Sequence, residues 1–340
     1  MKSPAYFRES FHPFALVLWP LSLLFGLVAG IRRLAYRVGL LRVHRVGRPV
    51  IVIGNITVGG TGKTPLVSWA ARHLQRMGLR PGVVSRGYGG TATTWPQQVR
   101  ADSDPRVVGD EAVLVARHAG CPVAVGPDRV AAARALLTHQ SCDILLSDDG
   151  LQHYALGRDL EIAVLDGVRR LGNGMRLPAG PLREGPRRLR SVDMVVVNGQ
   201  GMAGEFSARL RPGAAVNLVT GERRALRAFR GIPVHAVAGI GHPARFFDML
   251  GHAGLEVMTQ PFGDHHRFAQ KDVSFCDGAP VLMTEKDAVK CEGFAETNHW
   301  SVPVELQPDA GFVRQFTHAV EELVSGQETA RHSRMPDLQG

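Results

Sequence analysis

Short apolar runs alternate with helical patterns along most of the chain. Six such runs have the composition of strands buried on both faces, at residues 49–54, 81–85, 122–125, 143–147, 160–165 and 192–197. Between them, residues 65–77, 112–118 and 128–138 show helical spacing of apolar positions. Buried strands that alternate with helices are typical of a parallel sheet covered on both faces. The pattern therefore predicts an α/β fold with a parallel-sheet core over residues 49–213.

A second, smaller α/β lobe is predicted over residues 214–326. Its strands are expected at residues 233–239 and 280–284, and its helices at residues 243–251 and 311–324. Because the same alternation repeats after a break, we expect two lobes with a cleft between them.

The segments outside the lobes, residues 1–48 and 327–340, differ in character. The C-terminal segment is polar and is predicted to be disordered. The N-terminal segment includes residues 13–31, 19 positions without a charged side chain; as a helix they would extend about 28 Å, close to the thickness of a bilayer core. Pro20 and two glycines weaken this helix, so it either spans the membrane or lies in its plane. A cleaved signal peptide and a buried core helix are the alternatives, and membrane attachment is favoured.

The net charge of +9 is concentrated in this N-terminal segment. Residues 1–50 hold eight basic side chains and one acidic side chain. A basic protein usually invites a nucleic-acid interpretation, but an excess confined to one arm argues against it and fits anionic lipid on the cytoplasmic side. The four cysteines lack the spacing of a zinc or Cys-x-x-Cys site, which indicates a reducing cytosol.

A glycine-rich loop joins the first predicted strand to the first helix of the core. Strand, glycine-rich loop and helix start, with Gly-Lys-Thr at the junction, are typical of the phosphate-binding loop (P-loop) of nucleoside triphosphatases. Lys63 would reach the β- and γ-phosphates, and the Thr64 hydroxyl would bind Mg²⁺. The usual pattern begins with glycine, where this chain has Thr57. The predicted ATP-binding residues are Thr57, Val58, Gly59, Gly60, Thr61, Gly62, Lys63 and Thr64.

Two acids, Asp148 and Asp149, follow a buried strand of the predicted core. A P-loop protein needs its Mg²⁺-binding acid at the carboxyl end of such a strand. The alternative is a turn, because Asp149 precedes Gly150 and Asp-Gly is a favoured turn pair. Together with the upstream P-loop, the pair is interpreted as a metal site.

Two further polar clusters are candidates for acid–base chemistry. Asp110 and Glu111 open a predicted helix, where acids offset the helix dipole, and locally that structural explanation is favoured. Asp264, His265 and His266 form the densest polar cluster of the second lobe. A histidine paired with a carboxylate can act on an acceptor hydroxyl. A solvated loop and the Asp-His-His motif of metal-dependent phosphoesterases are the alternatives.

Arginine is enriched in residues 169–190, which hold seven arginines and one acid, Glu184. Arginine binds phosphate through bidentate contacts. A basic loop beside a P-loop in a membrane-attached protein predicts an anionic lipid substrate. A solvated loop is the alternative.

Taken together, these motifs resemble the tetraacyldisaccharide 4′-kinase (lipid A 4′-kinase) family. The matching segments run in family order through most of the chain, at residues 54–65, 85–88, 109–111, 148–153, 177–184, 264–266 and 284–288. The departure at Thr57 also belongs to the family pattern. The resemblance implies that ATP phosphorylates the 4′-hydroxyl of a tetraacyldisaccharide 1-phosphate, an anionic glycolipid, to give lipid IVA. It also implies a site at the cytoplasmic face of the inner membrane.

The resemblance further implies roles for individual residues. Asp110 and His265 are expected to act together on the acceptor hydroxyl, which revises the local interpretation of Asp110. His265 is preferred to His266 because it directly follows Asp264.

The remaining roles concern ATP and its metal. Lys63 is expected to hold the phosphates, and Thr64 with Asp148 to hold Mg²⁺. Asp149 is expected to support the metal, and the two arginines expected to position phosphate or substrate are Arg86 and Arg183.

Three rival functions are weaker. A membrane-targeted regulatory P-loop ATPase usually has a signature lysine where this chain has Val58. A GTPase motif would not place Lys286 directly before Asp287. A cytosolic small-molecule kinase would not need residues 11–31. No obligate protein partner and no nucleic-acid partner are predicted.

Overall fold

The computed structural model describes Pro4, Phe7, residues 12–264 and residues 266–332, with side chains up to residue 326. Its strands are β1 (Val50–Gly54), β2 (Pro81–Ser85), β3 (Gln97–Val99), β4 (Val123–Val125), β5 (Ile144–Asp148), β6 (Leu160–Asp166), β7 (Met194–Asn198), β8 (Phe206–Pro212), β9 (Ala215–Asn217), β10 (Arg223–Arg224), β11 (Pro233–Ala238), β12 (Glu256–Pro261), β13 (Val281–Thr284), β14 (His299–Val302) and β15 (Val304–Pro308). Its α-helices are α1 (Pro13–Arg37), α2 (Lys63–Arg76), α3 (Pro105–Val108), α4 (Asp110–Ala119), α5 (Arg129–His139), α6 (Pro243–His252), α7 (Glu285–Cys291) and α8 (Ala310–His332). Short 3-10 helices occur at Pro186–Ser191, Leu226–Phe229, Gln270–Asp272 and Glu292–Phe294.

A nine-stranded sheet forms the larger lobe, in the order β15-β8-β7-β6-β1-β5-β2-β4-β3. The seven inner strands are parallel, and the edge strands β3 and β15 are antiparallel to their neighbours. Strands β1 and β5 are buried along their whole length, because α2, α4 and α8 cover one face of the sheet and α5 covers the other. The predicted α/β fold with a parallel-sheet core is confirmed.

The smaller lobe contains a six-stranded sheet in the order β10-β9-β14-β13-β11-β12. Its first strand, β9, begins one residue after the predicted boundary at residue 214. Phe229 and Trp300 meet edge to face in its core, with ring centroids 5.3 Å apart. Helices α6 and α7 pack on this sheet and carry side chains towards the larger lobe.

The end of the chain returns to the larger lobe, which corrects the prediction that residues 214–326 form one unit. Strand β15 pairs with β8, and Phe312 and Phe316 of α8 pack on Trp69 of α2, with centroid distances of 5.4 and 5.5 Å. Both phenylalanines are fully buried because they lie on one face of α8, four residues apart. Helix α8 also continues to His332, into the segment predicted to be disordered. The rest of that segment, residues 333–340, lies outside the described residues.

Helix α1 extends from Pro13 to Arg37, six residues beyond the predicted apolar run. In length and composition it is apolar enough to cross a membrane, with a mean hydropathy of 2.3 over 18 residues. Only Ala15 and Ser22 are buried in it. Its exposed large apolar side chains are Phe14, Leu16, Val17, Trp19, Leu21, Leu23, Leu24, Phe25, Leu27, Val28, Ile31 and Leu34.

Helix α1 is docked along the larger lobe by a narrow polar face. Ser22 Oγ donates to the Arg176 carbonyl oxygen at 2.8 Å, and Gly26 leaves room for the Arg176 guanidinium. One turn from the end of the helix, Arg33 Nη2 donates to Ser191 Oγ at 2.9 Å. The helix therefore contacts the body at its middle and near its C-terminal end.

Candidate active site

The P-loop runs from the end of β1 to Lys63, the first residue of α2. Gly59 and Gly62 both have φ of +93°, a conformation that glycine adopts without strain. Asn55 Nδ2 holds the loop from inside by donating to the Gly59 carbonyl oxygen at 3.4 Å and to Thr61 Oγ1 at 3.3 Å. Gly62 is the N-cap of α2 and has no side chain to cap it. The first amides of α2 therefore point into the loop, as a phosphate site requires.

The outer side of the P-loop is held by the arginine-rich segment. Val58 N donates to the Pro181 carbonyl oxygen at 2.9 Å, and Thr57 forms a β-bridge with Leu182. This extended pairing buries Thr57, which explains how a side chain fits where the usual pattern has glycine. From the other side, the Arg169 guanidinium donates to the Gly60 carbonyl oxygen.

Asp149 lies among cations. Its carboxylate is 3.6 Å from Lys63 Nζ and accepts from Arg183 Nη1 at 3.0 Å. Its carbonyl oxygen accepts from Arg129 Nη2 at 2.9 Å. Burial raises the pKa of Asp149, but the charges of Lys63 and Arg183 outweigh burial and lower the pKa to about 2. Asp149 is thus an ionised anchor for the P-loop lysine and for Arg183.

Asp148 has a different environment at the end of β5. Its side chain is buried and receives one long hydrogen bond, from Ser85 Oγ to Oδ2 at 3.5 Å. In the described part of the chain, Oδ1 has no hydrogen-bond partner. Burial and the charge of Glu111 raise the pKa of Asp148 to about 7. A buried carboxylate oxygen without a partner, one strand from the P-loop, fits a cation. Thr64, predicted as the second ligand, is the second residue of α2.

Two more arginines surround the acid pair. Arg129, which the sequence analysis did not single out, is buried at the start of α5. Burial lowers its pKa, and the positive charges of Arg86 and Arg183 contribute to the same shift. Arg86 is exposed and makes no hydrogen bond or ion pair with a described residue. Its guanidinium is therefore available to an anionic ligand.

Asp110 is the first residue of α4 and is buried. Gly109 before it has φ of +94°, and a Cβ there would lie 2.5 Å from the Tyr88 carbonyl oxygen. Only glycine allows this tight entry into the helix. Asp110 Oδ1 accepts from the amide of Glu111 at 2.8 Å, and Oδ2 is 3.5 Å from Lys290 Nζ. Asp110 therefore begins helix α4 and also faces the smaller lobe.

The smaller lobe brings its polar cluster to the same place. Lys286 Nζ of α7 is 3.1 Å from Glu111 Oε1 and 3.3 Å from Asp264 Oδ1. A Cβ at Gly241 would lie 3.5 Å from Asp264 Oδ2 and 3.8 Å from the amide nitrogen of Gly60. Asp264 therefore lies beside the tip of the P-loop.

The two candidate histidines differ in what the structure says of them. His265 lies outside the described residues. His266 Nε2 is 3.1 Å from Asp272 Oδ2, and its ring contacts those of Phe262 and Phe268. His266 is therefore engaged by its own neighbours in the loop.

A second contact between the lobes lies at the end of β6. Arg245 of α6 forms an ion pair with the buried Asp166 at 2.6 Å, and Asp166 also accepts from the amides of Val168 and Arg169. The sequence did not predict this pair or the contacts of the α7 lysines, because each partner is distant in sequence, although Lys286 lies in the motif at residues 284–288. For the pair, the position of Asp166 at the carboxyl end of a buried strand was an available signal.

Comparisons with known proteins identify relatives of this chain. A family model described as tetraacyldisaccharide-1-P 4′-kinase matches residues 14–321. A tetraacyldisaccharide 4′-kinase of Nitrosococcus oceani is 55% identical over 306 residues, covering 90% of each chain. One of Alkalilimnicola ehrlichii is 55% identical over 291 residues, covering 85% of this chain and 88% of the relative.

A solved structure shows the same architecture. The crystal structure of LpxK from Aquifex aeolicus in complex with ATP has a TM-score of 0.79 and 25% sequence identity, covering 92% of this chain and 99% of that one. The predicted ATP-dependent kinase that transfers phosphate to a hydroxyl is confirmed by these relatives. The chain belongs to the tetraacyldisaccharide 4′-kinase family.

Proposed function

We propose that this chain phosphorylates its lipid in the cleft between the lobes, with ATP on the P-loop and Asp110 as the base. The main observation that supports this proposal is that Asp110, the P-loop and Asp264 come together at the lobe boundary, although three separate elements supply them. A kinase needs few covalent steps from the protein, so positioning and charge account for most of the catalysis.

The P-loop residues Thr57 to Thr64 are proposed to hold the triphosphate. When ATP binds, Lys63 would leave the Asp149 carboxylate and contact the β- and γ-phosphates instead. Arg183 would keep the Asp149 carboxylate in place. The Val58 amide is already engaged by Pro181, so the amides that remain for phosphate are those nearer the start of α2.

Mg²⁺ is proposed to be held by Asp148 and Thr64, with Asp149 beside it. The unpartnered Oδ1 of Asp148 supports this assignment. When bound, the ion neutralises the charge on the phosphate oxygens during transfer. The chain's own contribution would be the buried Asp148 carboxylate, which could hold a divalent cation once it has lost its proton.

Asp110 is proposed to accept the proton of the 4′-hydroxyl, with Lys290 as its counter-charge. His265 is proposed to orient Asp110, and the engagement of His266 by Asp272 supports the choice between the two histidines. Arg86, exposed and unpaired within the described residues, is proposed to contact the anionic glycolipid or the transferred phosphate.

Helix α1 is proposed to lie flat on the cytoplasmic face of the inner membrane. Ser22 and Gly26 are near the middle of the apolar run and contact Arg176 of the larger lobe. A spanning helix would place this contact at the centre of the bilayer, where backbone polar groups of an irregular segment cannot be satisfied. The basic residues Arg32, Arg33 and Arg37 would meet anionic lipid at the cytoplasmic surface.

The Asp110→Asn variant is expected to lose about a hundredfold to ten-thousandfold in kcat, because the amide cannot accept the hydroxyl proton. Its Kd for ATP, measured by calorimetry, should stay at the wild-type value. Asp102→Asn, an exposed acid eight positions earlier, is the control and should retain full turnover. A kcat for Asp110→Asn close to that of the wild type would remove Asp110 from the reaction.

Mg²⁺-dependent ATP binding should strengthen with pH through the titration of Asp148. The carboxyl has a pKa of about 7, so it is mainly protonated at pH 6 and ionised at pH 8, and affinity should be roughly tenfold weaker at pH 6. Calorimetric Mg²⁺ titrations of ATP binding at both pH values measure this. In Asp148→Asn, binding should be weaker, and its residual pH dependence should be that of the nucleotide alone. Identical pH dependence in the two proteins would contradict the metal assignment.

The depth of α1 in a bilayer distinguishes the flat and spanning arrangements. Val17, Leu24 and Ile31 are exposed and lie two turns apart on one face. Spin labels on cysteines at these positions, in a protein without its native cysteines, should report one shared shallow depth in vesicles. A label at Val219, exposed on the smaller lobe, is the solvent reference. A maximum of depth at position 24, flanked by shallow values, would show a spanning helix.

A further inference from the structure

Lys286 joins three elements of the active site. Its ammonium lies 3.1 Å from Glu111 Oε1 on α4 and 3.3 Å from Asp264 Oδ1 on the loop after β12. The lysine side chain is 14% exposed, whereas those of Glu111 and Asp264 are 40% and 25% exposed. One cation therefore connects the larger lobe to the polar loop of the smaller lobe from a largely buried position.

The direction of Lys286 is set by a rigid anchor at the start of α7. Thr284 is the N-cap of this helix, and the fully buried Asp287 accepts from Thr284 Oγ1 at 2.6 Å and from the amide of Gly239 at 2.8 Å. Lys286 and Lys290 are four residues apart, so they lie on one face of α7. That face is turned to the start of α4, where Lys290 meets Asp110.

Both partners of Lys286 are next to residues with a proposed catalytic role. Glu111 follows Asp110, and Asp264 precedes His265. Asp264 also lies against Gly241, which faces the amide of Gly60 on the P-loop. Displacing Glu111 relative to Asp264 would therefore shift the base relative to the nucleotide loop.

Lys286 stays protonated in this environment. Burial lowers the pKa of Lys286, but the negative charges of Glu111, Asp110 and Asp264 outweigh burial and raise it. An ammonium has three donors and can serve two carboxylates at once. Without it, Glu111 and Asp264 would face each other across the lobe boundary without their shared cation.

We propose that Lys286 is a positioning residue for phosphoryl transfer. By bridging Glu111 and Asp264 it sets the distance between the start of α4 and the loop of the smaller lobe. Asp110 then meets the acceptor hydroxyl in line with the γ-phosphate. The inference rests on the proposed function, because it assumes that Asp110 is the base.

The same two helices provide a matched control. Arg117 of α4 and Glu292, just after α7, form an ion pair across the boundary with side chains 29% and 40% exposed. This pair joins the lobes as Lys286 does but touches none of the proposed catalytic residues. Glu292→Gln removes a charge of the boundary without disturbing the site.

The test compares Lys286→Met, Lys286→Arg and Glu292→Gln in the full-length protein in detergent micelles, with ATP and a tetraacyldisaccharide 1-phosphate. Lys286→Met should lose about 10- to 100-fold in kcat, since displacement of reacting groups by about 1 Å costs this much. Its ATP Kd should match that of the wild type. Lys286→Arg should recover most of the kcat, and Glu292→Gln should be as active as the wild type.

Several outcomes would overturn the inference. Wild-type kcat in Lys286→Met would show that the bridge is unnecessary. A loss confined to ATP affinity would make Lys286 a phosphate ligand, and an equal loss in Glu292→Gln would reduce the effect to general contact between the lobes. If Lys286→Met does not fold, Glu111→Gln and Asp264→Asn, which keep the lysine, carry the same expectation and the same refutation. A wild type that makes no phosphorylated lipid would instead refute the proposed function.

Discussion

Two adjacent carboxylates at the end of β5, the buried Asp148 and the half-buried Asp149, are the constraint on which the rest of the site depends. Burying a charge is costly unless the charge is paired. Three elements of the chain supply cations that contact this acid pair. Lys63 arrives from α2, Arg129 from α5 and Arg183 from the arginine-rich segment. All three cations contact Asp149, whereas Oδ1 of Asp148 has no hydrogen-bond partner among the described residues. Because the cations pair with Asp149, the Asp148 carboxylate is left to bind a metal.

The arginine-rich segment connects this arrangement to the apolar helix α1. Its backbone pairs with Thr57 and Val58 of the P-loop, and its Arg176 carbonyl receives Ser22 of α1. Helix α1 therefore contacts the same segment that pairs with the nucleotide loop. The smaller lobe closes the other side through Arg245 on Asp166 and through the two lysines of α7, so the cleft is lined by charge pairs from both lobes.

The sequence predicted most of the fully buried strands, but it missed β14, whose four residues are all buried while His299 and Ser301 interrupt its apolar run. Strands such as β1 and β5 are continuous apolar runs because both of their faces are covered. Strands β8 and β12 were missed, since they mix exposed and half-buried positions and show no such run. The sequence predicted a helix over residues 311–324, but a helical pattern does not say which lobe the helix covers, and Phe312 and Phe316 pack on the larger one. Asp110 shows the same limit at the site, because a first-turn acid looks alike whether it caps a helix or faces a cleft.

Transfer of phosphate to lipid in this cleft is the central claim that an experiment has to test. The most direct measurement is the transfer of radiolabelled γ-phosphate from ATP to a tetraacyldisaccharide 1-phosphate in detergent micelles, with Lys63→Ala beside the wild type. The account predicts labelled lipid from the wild type and none from the variant. Phosphate release by the wild type without labelled lipid would contradict it and would favour a regulatory ATPase.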